Sequence, residues 1–454
     1  MKRCLSTIAV LSALLFAHAE TVQADVKLPT VLDSHMVLQR DVPLRVWGWA
    51  DAGEAVTVTM GDAHEATKAD ADGKWIVTLP AQKADGKSRT ITIKGNNSIE
   101  LEDILIGEVW IGSGQSNMEW RLSSTNGAKE AIAAADHPQI RLFHVPKVQT
   151  KTPSEDVKAT WKVCEPAAVP SFSAVLYFFG QRLHADLDVP IGLINSSWGG
   201  SPIEPWTIAG KQSGGMYNGM IAPLTNVAVK GAIWYQGETN VIQKNGLTYA
   251  DKMKALITGW RKSFGNDKLA FHFVQIAPWA GRYDAGQLPA LWESQVATLK
   301  ISGTGMAVTT DLVDNIKDIH PRNKVDVGNR LALWALTKDY DVKDLVYSGP
   351  LYKSLKVESG KIRLSFAHVA DGLKARDGKP LSEFQVAGAD DKFVPATATV
   401  DGDTIVVQAE GVTSPTQVRF GWHKLANPNL VNSAGLPASP FQTKNWTGGT
   451  GEGK

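Results

Sequence analysis

The chain has 454 residues, enough for about two or three domains that each bury a core of their own. Lys and Arg (47) nearly balance Asp and Glu (46), so no overall field favours nucleic acid or an anionic membrane as a partner. Beyond the N-terminal segment no stretch approaches the ~18 apolar residues of a membrane span.

Residues 1–24 have the three-part order of a secretory signal peptide. Basic residues come first and the apolar run 8–16 follows. Ala19 and Ala24 each end a small-x-small sequence at which cleavage can occur. We therefore expect a secreted or periplasmic protein.

Three regions of the remaining chain differ in hydrophobic pattern. Residues 26–103 and 346–446 contain short alternating runs divided by Gly, Asp and Asn turns, which is typical of antiparallel β modules. Residues 104–340 alternate apolar strand-like runs with helical patterns, which is typical of βαβ units. The chain therefore predicts an α/β fold: a parallel sheet with helices on both faces, flanked by N- and C-terminal antiparallel β-sandwich-like modules. The Gly-rich tail, 447–454, is expected to be disordered.

Four loops with reactive or polar side chains follow strands of the predicted parallel sheet. In an open α/β sheet, functional groups gather outside the carboxyl ends of the strands. One of these loops places Ser116 between glycine-rich turn residues, and another places His320 beside Asp318. A serine hydroxyl becomes a good nucleophile only when a positioned base takes its proton, so these segments make chemical sense together. We name the loops by their residues: the serine loop (114–118), the glycine loop (195–201), the glutamine loop (236–240) and the histidine loop (318–321).

Each of these residues also has an ordinary structural interpretation. Ser116 can be a helix N-cap, and His320 can cap the helix that follows it. Gly199 and Gly200 can form a simple tight turn. A dinucleotide site is disfavoured because Asn117 stands where its fingerprint needs a third glycine. The ten histidines show no metal-binding spacing, so neither a metal nor a cofactor is expected.

Taken in order, the four loops resemble the signature blocks of the sialate O-acetylesterase-type carbohydrate esterases of the SGNH hydrolase superfamily. The resemblance extends over about residues 31–336 and implies a flavodoxin-like parallel sheet of SGNH type. The matching segments are Gly114-Gln115-Ser116-Asn117-Met118, Ser197-Trp198-Gly199-Gly200, Trp234-Tyr235-Gln236-Gly237-Glu238 and Asp318-Ile319-His320-Pro321.

The resemblance implies catalytic roles for five residues. Ser116 would be the nucleophile, and His320 the base that takes its proton and returns it to the leaving group. The oxyanion would be bound by the backbone N–H of Ser116 and by that of Gly199 or Gly200. The side-chain amide of Gln236 would be a further donor, since its N–H groups carry no titrating proton.

The carboxylate partner of His320 departs from the usual spacing. Most SGNH enzymes place an Asp three residues before the His, and this chain has Lys317 there. Asp318 lies two residues before the His and is predicted to orient the imidazole. Asp311 and Asp314 are rivals for that role, and a Ser–His dyad is the alternative arrangement.

An O-acetylated carbohydrate is the implied partner, either sialic acid or a plant polysaccharide such as xylan or xyloglucan. Asn117, Trp198, Trp206 and Glu238 are predicted to contact it, the tryptophans by stacking on sugar rings. Trp292 stands where the family is expected to have an arginine, which weakens the case for a carboxylate-bearing sugar. A catalytically inactive carbohydrate-binding protein is the alternative function, and the sequence leaves the oligomeric state open.

Overall fold

The computed structural model of the protein describes residues 25–210 and 212–450. The predicted signal peptide lies outside this part of the chain. In the N-terminal strand β5 (Lys74–Leu79), every second residue is buried, as the alternating sequence pattern predicts. The other N-terminal strands are β1 (Val37–Gln39), β2 (Leu44–Trp49), β3 (Ala55–Met60), β4 (Ala63–Lys68) and β6 (Arg89–Lys94).

The middle of the chain alternates strands with helices. Its strands are β7 (Ser98–Gly114), β8 (His137–His144), β9 (Trp161–Cys164), β10 (Ile191–Ser197), β11 (Ile208–Ala209), β12 (Gln212–Ser213), β13 (Gly231–Tyr235), β14 (Ala270–Gln275) and β15 (Thr304–Val308). Its helices are α1 (Ser116–Glu119), α2 (Ala128–Ala133), α3 (Ala174–Leu187), α4 (Gly215–Met220), α5 (Glu238–Ile242), α6 (Tyr249–Phe264), α7 (Gln287–Thr298) and α8 (Lys324–Asp339).

Hydrophobic spacing and capping explain why the longer helices form. Helix α6 buries Met253, Leu256 and Trp260 on one face and ends at Gly265, whose φ of +62° suits a glycine C-cap. Helix α8 begins after Asn323, whose side chain accepts a hydrogen bond from a backbone N–H of the first turn. None of the helices in the described residues is long and apolar enough to cross a bilayer.

The central sheet has the strand order β15-β14-β13-β7-β10-β8-β9. All neighbouring pairs along this order are parallel except β8 and β9. Helix α3 packs against α8, and α6 packs against α7. The predicted α/β sheet with flanking antiparallel strands is therefore confirmed, whereas the flavodoxin-like order stays a prediction because β8 and β9 extend the sheet beyond β10.

Strand β7 belongs to two sheets. Its first residues pair antiparallel with β6, and its later residues pair in parallel with β1, β10 and β13. Every residue from Ile104 to Gly114 is buried. One continuous hydrophobic cluster extends from the N-terminal strands into the central sheet. The predicted boundary between residues 103 and 104 therefore falls inside a strand, and the two units share a core.

The C-terminal strands enclose a second hydrophobic cluster, which includes Phe366, Phe384, Phe420 and Phe441. Two four-stranded sheets have the orders β16-β17-β22-β21 and β20-β19-β23-β25. The strands are β16 (Leu351–Glu358), β17 (Lys361–Ala367), β18 (Leu373–Ala375), β19 (Phe384–Ala387), β20 (Val394–Pro395), β21 (Thr397–Asp401), β22 (Thr404–Gln408), β23 (Gln417–Phe420), β24 (Leu430–Asn432) and β25 (Phe441–Gln442).

The start of the Gly-rich tail is bound to the central sheet's helices. The Thr447 N–H donates to Glu293 Oε1 over 3.2 Å, and the Gly449 N–H donates to the Val296 carbonyl over 3.1 Å. The prediction of disorder is therefore wrong for residues 447–450, because helix α7 supplies acceptors that composition does not reveal. The remaining four residues lie outside the described part of the chain.

Candidate active site

The serine, glycine and glutamine loops begin at the same edge of the central sheet, where three neighbouring strands end. Gly114, the last residue of β7, pairs with Ser197 of β10 and with Tyr235 of β13. Its φ is +131°, and a Cβ atom there would lie 2.2 Å from the Tyr235 carbonyl oxygen. Glycine is therefore required for the turn that delivers Ser116 as the first residue of α1.

Ser116 and His320 form a hydrogen-bonded pair although 204 residues separate them. Ser116 Oγ and His320 Nε2 are 2.8 Å apart. Both side chains are partly buried. Burial lowers the pKa of His320, and the Lys324 cation lowers it further, while Asp318 acts in the opposite direction. The lowered pKa favours the neutral imidazole, the state in which it can accept the serine proton.

Asp318 is the predicted carboxylate that lies beside the imidazole. Its Oδ1 is 3.4 Å from His320 Nδ1 and accepts the backbone N–H of His320 over 2.9 Å. The first distance is longer than a well-formed hydrogen bond. Asp311 forms two bonds with Arg330, of 2.7 and 2.6 Å, and Asp314 is exposed. Among the described residues, neither rival forms a hydrogen bond or ion pair with His320.

Trp120 is a contact of the imidazole that the sequence did not reveal. Its ring stacks on His320 with centroids 4.9 Å apart and planes 24° from parallel. The indole N–H donates to the Ser124 carbonyl over 3.0 Å, which fixes the ring. Trp120 stands only four residues after Ser116, so its place beside the serine loop was the available signal.

The two glycines of the glycine loop differ in what their N–H groups do. The Gly199 N–H donates to Glu119 Oε2 over 2.6 Å, and Glu119 Oε1 pairs with Lys147 at 2.6 Å. Gly200 is exposed, with φ at +76°, and its N–H has no hydrogen-bond partner among the described residues. The Ser116 N–H is equally unpartnered within that part of the chain. Ser116 and Gly200 therefore present free backbone donors.

The chain matches a known protein family. A family model described as carbohydrate esterase, sialic acid-specific acetylesterase matches residues 106–337, half of the chain. The chain belongs to this family. The protein is therefore a carboxylic ester hydrolase and a carbohydrate O-acetylesterase, as its loops predict.

Relatives resemble nearly the whole chain. Sialate O-acetylesterase of Homo sapiens is 29% identical over 91% of this chain and 92% of its own, and that of Rattus norvegicus is 29% identical over 92% and 94%. The crystal structure of a carbohydrate acetylesterase from Xanthomonas citri is 41% identical and has a TM-score of 0.89. It covers 93% of this chain and 100% of its own.

Gln236 does not offer a free donor to this esterase's site. Its side chain is fully buried. Its amide nitrogen donates to Asn240 Oδ1 over 2.7 Å, to Gln115 Oε1 over 3.1 Å and to the Ser201 carbonyl over 3.3 Å. Its Oε1 accepts the Tyr249 hydroxyl over 2.6 Å. Both N–H groups of Gln236 thus already have acceptors inside the protein, and its oxyanion role stays a prediction.

Asn117 and Glu238 lie beneath the active site, so the prediction that they contact substrate is wrong. Asn117 Nδ2 donates to Glu238 Oε1 over 2.6 Å and to the Ile319 carbonyl over 3.1 Å. Lys324 Nζ donates to Asn117 Oδ1 over 2.5 Å. All three side chains are buried. Together they join the serine loop to the histidine loop and to the start of α8.

Burial shifts both ionisable groups of this network toward their neutral forms. It raises the pKa of the Glu238 carboxyl, against opposing hydrogen bonds and the Lys324 cation. It lowers the pKa of Lys324 to about 7, although Glu238 acts in the opposite direction. Sequence patterns did not single out Lys324, since a lysine at a helix start is usually exposed.

Trp206 is fully buried, and the prediction that it lines the cleft is wrong. Its ring meets Trp234 edge to face, with centroids 6.1 Å apart, and its N–H donates to Ser201 Oγ over 3.0 Å. No face is left for a sugar. Trp198 is partly exposed beside Gly199, and its contact with substrate stays a prediction.

A cavity of 620 Å³ opens beside the serine loop. Its lining includes Glu119, Arg121, His144, Lys147 and Phe172. Glu119 lies close to Ser116. A Cβ atom placed on Gly199, which Glu119 binds, would be 3.1 Å from Glu119 Oε2 and 3.4 Å from the Ser116 Cβ.

Proposed function

We propose that the protein is a secreted carbohydrate O-acetylesterase with an SGNH-type, flavodoxin-like catalytic sheet that works through a Ser–His–Asp acyl-enzyme mechanism. Its substrate is an O-acetylated sugar, either sialic acid or an acetylated plant polysaccharide. The observation that carries the proposal is the 2.8 Å hydrogen bond between Ser116 Oγ and His320 Nε2, beside unpartnered backbone donors.

In the proposed mechanism, each chemical step is assigned to a named group of the site. Ser116 Oγ attacks the acetyl carbonyl while His320 Nε2 takes its proton. The N–H groups of Ser116 and Gly200 stabilise the resulting oxyanion. The tetrahedral intermediate then collapses, and the sugar oxygen leaves with the proton from Nε2. A water molecule, deprotonated by the same nitrogen, releases acetate and restores the serine. Asp318 orients the imidazole from its Nδ1 side.

Hydrolysis of p-nitrophenyl acetate by Ser116→Ala tests the mechanism. We expect turnover to fall by a factor on the order of 10⁴ or more, as for other serine hydrolases that lose the nucleophile. Ser123→Ala is the matched control, because Ser123 is exposed in the same region and should keep the wild-type rate. Equal rates for Ser116→Ala and the wild type would overturn the mechanism and favour a carbohydrate-binding protein without catalysis.

The substrate and the secretion are tested separately. Acetate release from O-acetylated sialic acid, acetyl-xylan and acetyl-xyloglucan should single out one substrate by its kcat/KM. Expression with the native N-terminus should yield an exported chain that begins at Glu20 or Asp25. Retention of Met1 on an intracellular product would contradict secretion.

A further inference from the structure

The oxyanion site described above lacks a side-chain donor. Gln236 was predicted to supply one, yet both of its N–H groups have acceptors inside the protein. The Gly199 N–H is bound by Glu119. Only the backbone donors of Ser116 and Gly200 are left among the groups predicted for this role.

Gln115 places a second side-chain amide directly before the nucleophile. Its Oε1 accepts the Thr239 N–H over 3.2 Å, the Gly237 N–H over 3.5 Å and Gln236 Nε2 over 3.1 Å. Backbone N–H groups can only donate, so the atom that faces them must be the amide oxygen. The amide nitrogen of Gln115 is therefore on the opposite corner of the group.

That nitrogen is a free donor. Gln115 Nε2 makes no hydrogen bond within the described residues. It is also not fully buried, so a group at the surface can reach it. Gln115 as a residue keeps 3% of its surface exposed, and because the unpartnered nitrogen is not fully buried, this surface includes it. An unpartnered amide that reaches the surface beside a nucleophile is well placed to receive developing negative charge.

The surroundings of Gln115 fix the amide between two loops of the site. Thr239, which holds its oxygen, also donates its hydroxyl to the Gly200 carbonyl over 3.1 Å. Gln236 donates both to Gln115 and to the Ser201 carbonyl. The amide thus lies where the serine, glycine and glutamine loops meet, and it is held in one orientation by groups that cannot rotate freely.

We propose that Gln115 Nε2 donates the side-chain hydrogen bond to the oxyanion, and that Gln236 is a positioning residue that holds Gln115. This inference rests on the acyl-enzyme mechanism proposed for Ser116. No proton changes hands in the step: the N–H stays on Gln115 while negative charge forms on, and then leaves, the carbonyl oxygen.

Gln115→Glu tests the donor with little change of shape. The carboxylate can still accept the Thr239 and Gly237 N–H groups, but its second oxygen cannot donate. We expect kcat for p-nitrophenyl acetate to fall by about 10²–10³, as for the loss of other oxyanion donors. Gln115→Met, which has no donor and no charge, should show a similar loss. Gln243→Glu, an exposed site on α5's C-terminal end, is the matched charge control and should keep the wild-type rate.

A thionoacetate ester separates catalysis from a structural role. Its reaction places the negative charge on sulfur, a weaker hydrogen-bond acceptor, so the penalty of both Gln115 variants should shrink markedly. Equal penalties on the oxygen and sulfur esters, or rates within about threefold of wild type on both, would overturn the inference. If one of these outcomes is found and Ser116→Ala is inactive in the same assays, the Gln115 role fails while the serine mechanism stands. If Ser116→Ala is fully active, the mechanism beneath it fails.

Discussion

Ser116 and His320, the proposed nucleophile and base, are held by different kinds of interaction. Ser116 follows β7, a buried strand that is paired along both edges by backbone hydrogen bonds. His320 lies in the segment 309–323, which contains neither strand nor helix. A sheet ladder fixes many backbone groups at once, whereas an irregular segment depends on individual contacts. The base is therefore the half of the pair whose position is easier to disturb.

Individual contacts from several parts of the chain hold the segment around His320, where no sheet hydrogen bonds do so. The Trp279 indole donates to the Lys317 carbonyl over 3.0 Å, and the Ala280 N–H donates to the Ile316 carbonyl over 2.8 Å. On the other side, Asn117 donates to the Ile319 carbonyl. Each contact is a side chain or a single peptide group, so no ladder of neighbouring bonds reinforces it.

The largest effect should come from His320→Ala. Turnover should fall by a factor on the order of 10⁴ or more, and the double variant with Ser116→Ala should be no slower than either single variant, since the two act as a unit. Rates of p-nitrophenyl acetate hydrolysis measure this. Losses that multiply in the double variant would show that serine and histidine do not act in one step.

Asp318→Asn should lower turnover by more than tenfold with little change in KM, because the imidazole loses the carboxylate that orients it. Asp318 raises the pKa of His320, so its loss should also move the acid limb of kcat/KM to lower pH. Asp314→Asn, at an exposed position, is the matched control. An unchanged rate and pH profile would favour a Ser–His dyad.

Trp120→Leu tests the stack on the imidazole. An aromatic pair contributes about 0.5–1.5 kcal/mol, so its loss should lower kcat roughly two- to tenfold. Trp120→Phe retains a flat ring and should recover most of the rate. If Phe and Leu give the same loss, the ring does not hold His320 through its face.

The smallest effect tests whether the C-terminal strands support the base. Lys424 Nζ donates to the Gly281 carbonyl over 3.1 Å and to the Tyr283 carbonyl over 2.6 Å, in the loop that contains Trp279. Lys424→Met should lower kcat by about two- to fivefold while KM is retained. Lys392→Met, at an exposed position in the loop between β19 and β20, serves as control. A lower melting temperature with unchanged kcat would mean that Lys424 stabilises the fold without positioning the base.

The sequence predicted the sheet and the four loops because each depends on local patterns, and it predicted the Ser116–His320 pair because a serine nucleophile needs a base. Strand alternation, turn residues and the order of the loops are readable without knowing which way a side chain points. The shared core of the N-terminal strands and the sheet was missed because β7 carries no break in its pattern. The tail was misjudged because its acceptors on α7 are distant in sequence.

The errors within the site have one physical origin. Gln115 and Gln236 are the same residue type in adjacent loops, and only the hydrogen bonds decide which amide is free. Asn117 and Glu238 belong to loops of the site and Trp206 follows the glycine loop by five residues, yet all three side chains are buried. Residues that are close in sequence lie in the same loop, but their side chains can point to opposite sides of it.

The most direct test of the central claim is to locate the acetyl group during turnover. Acid quenching of the enzyme mixed with p-nitrophenyl acetate, followed by peptide mass mapping, detects a covalent intermediate. The account predicts one added acetyl group on the peptide that contains Ser116, and none on that peptide in Ser116→Ala. An acetyl group on another side chain that turns over with the substrate, or full turnover by Ser116→Ala, would contradict it.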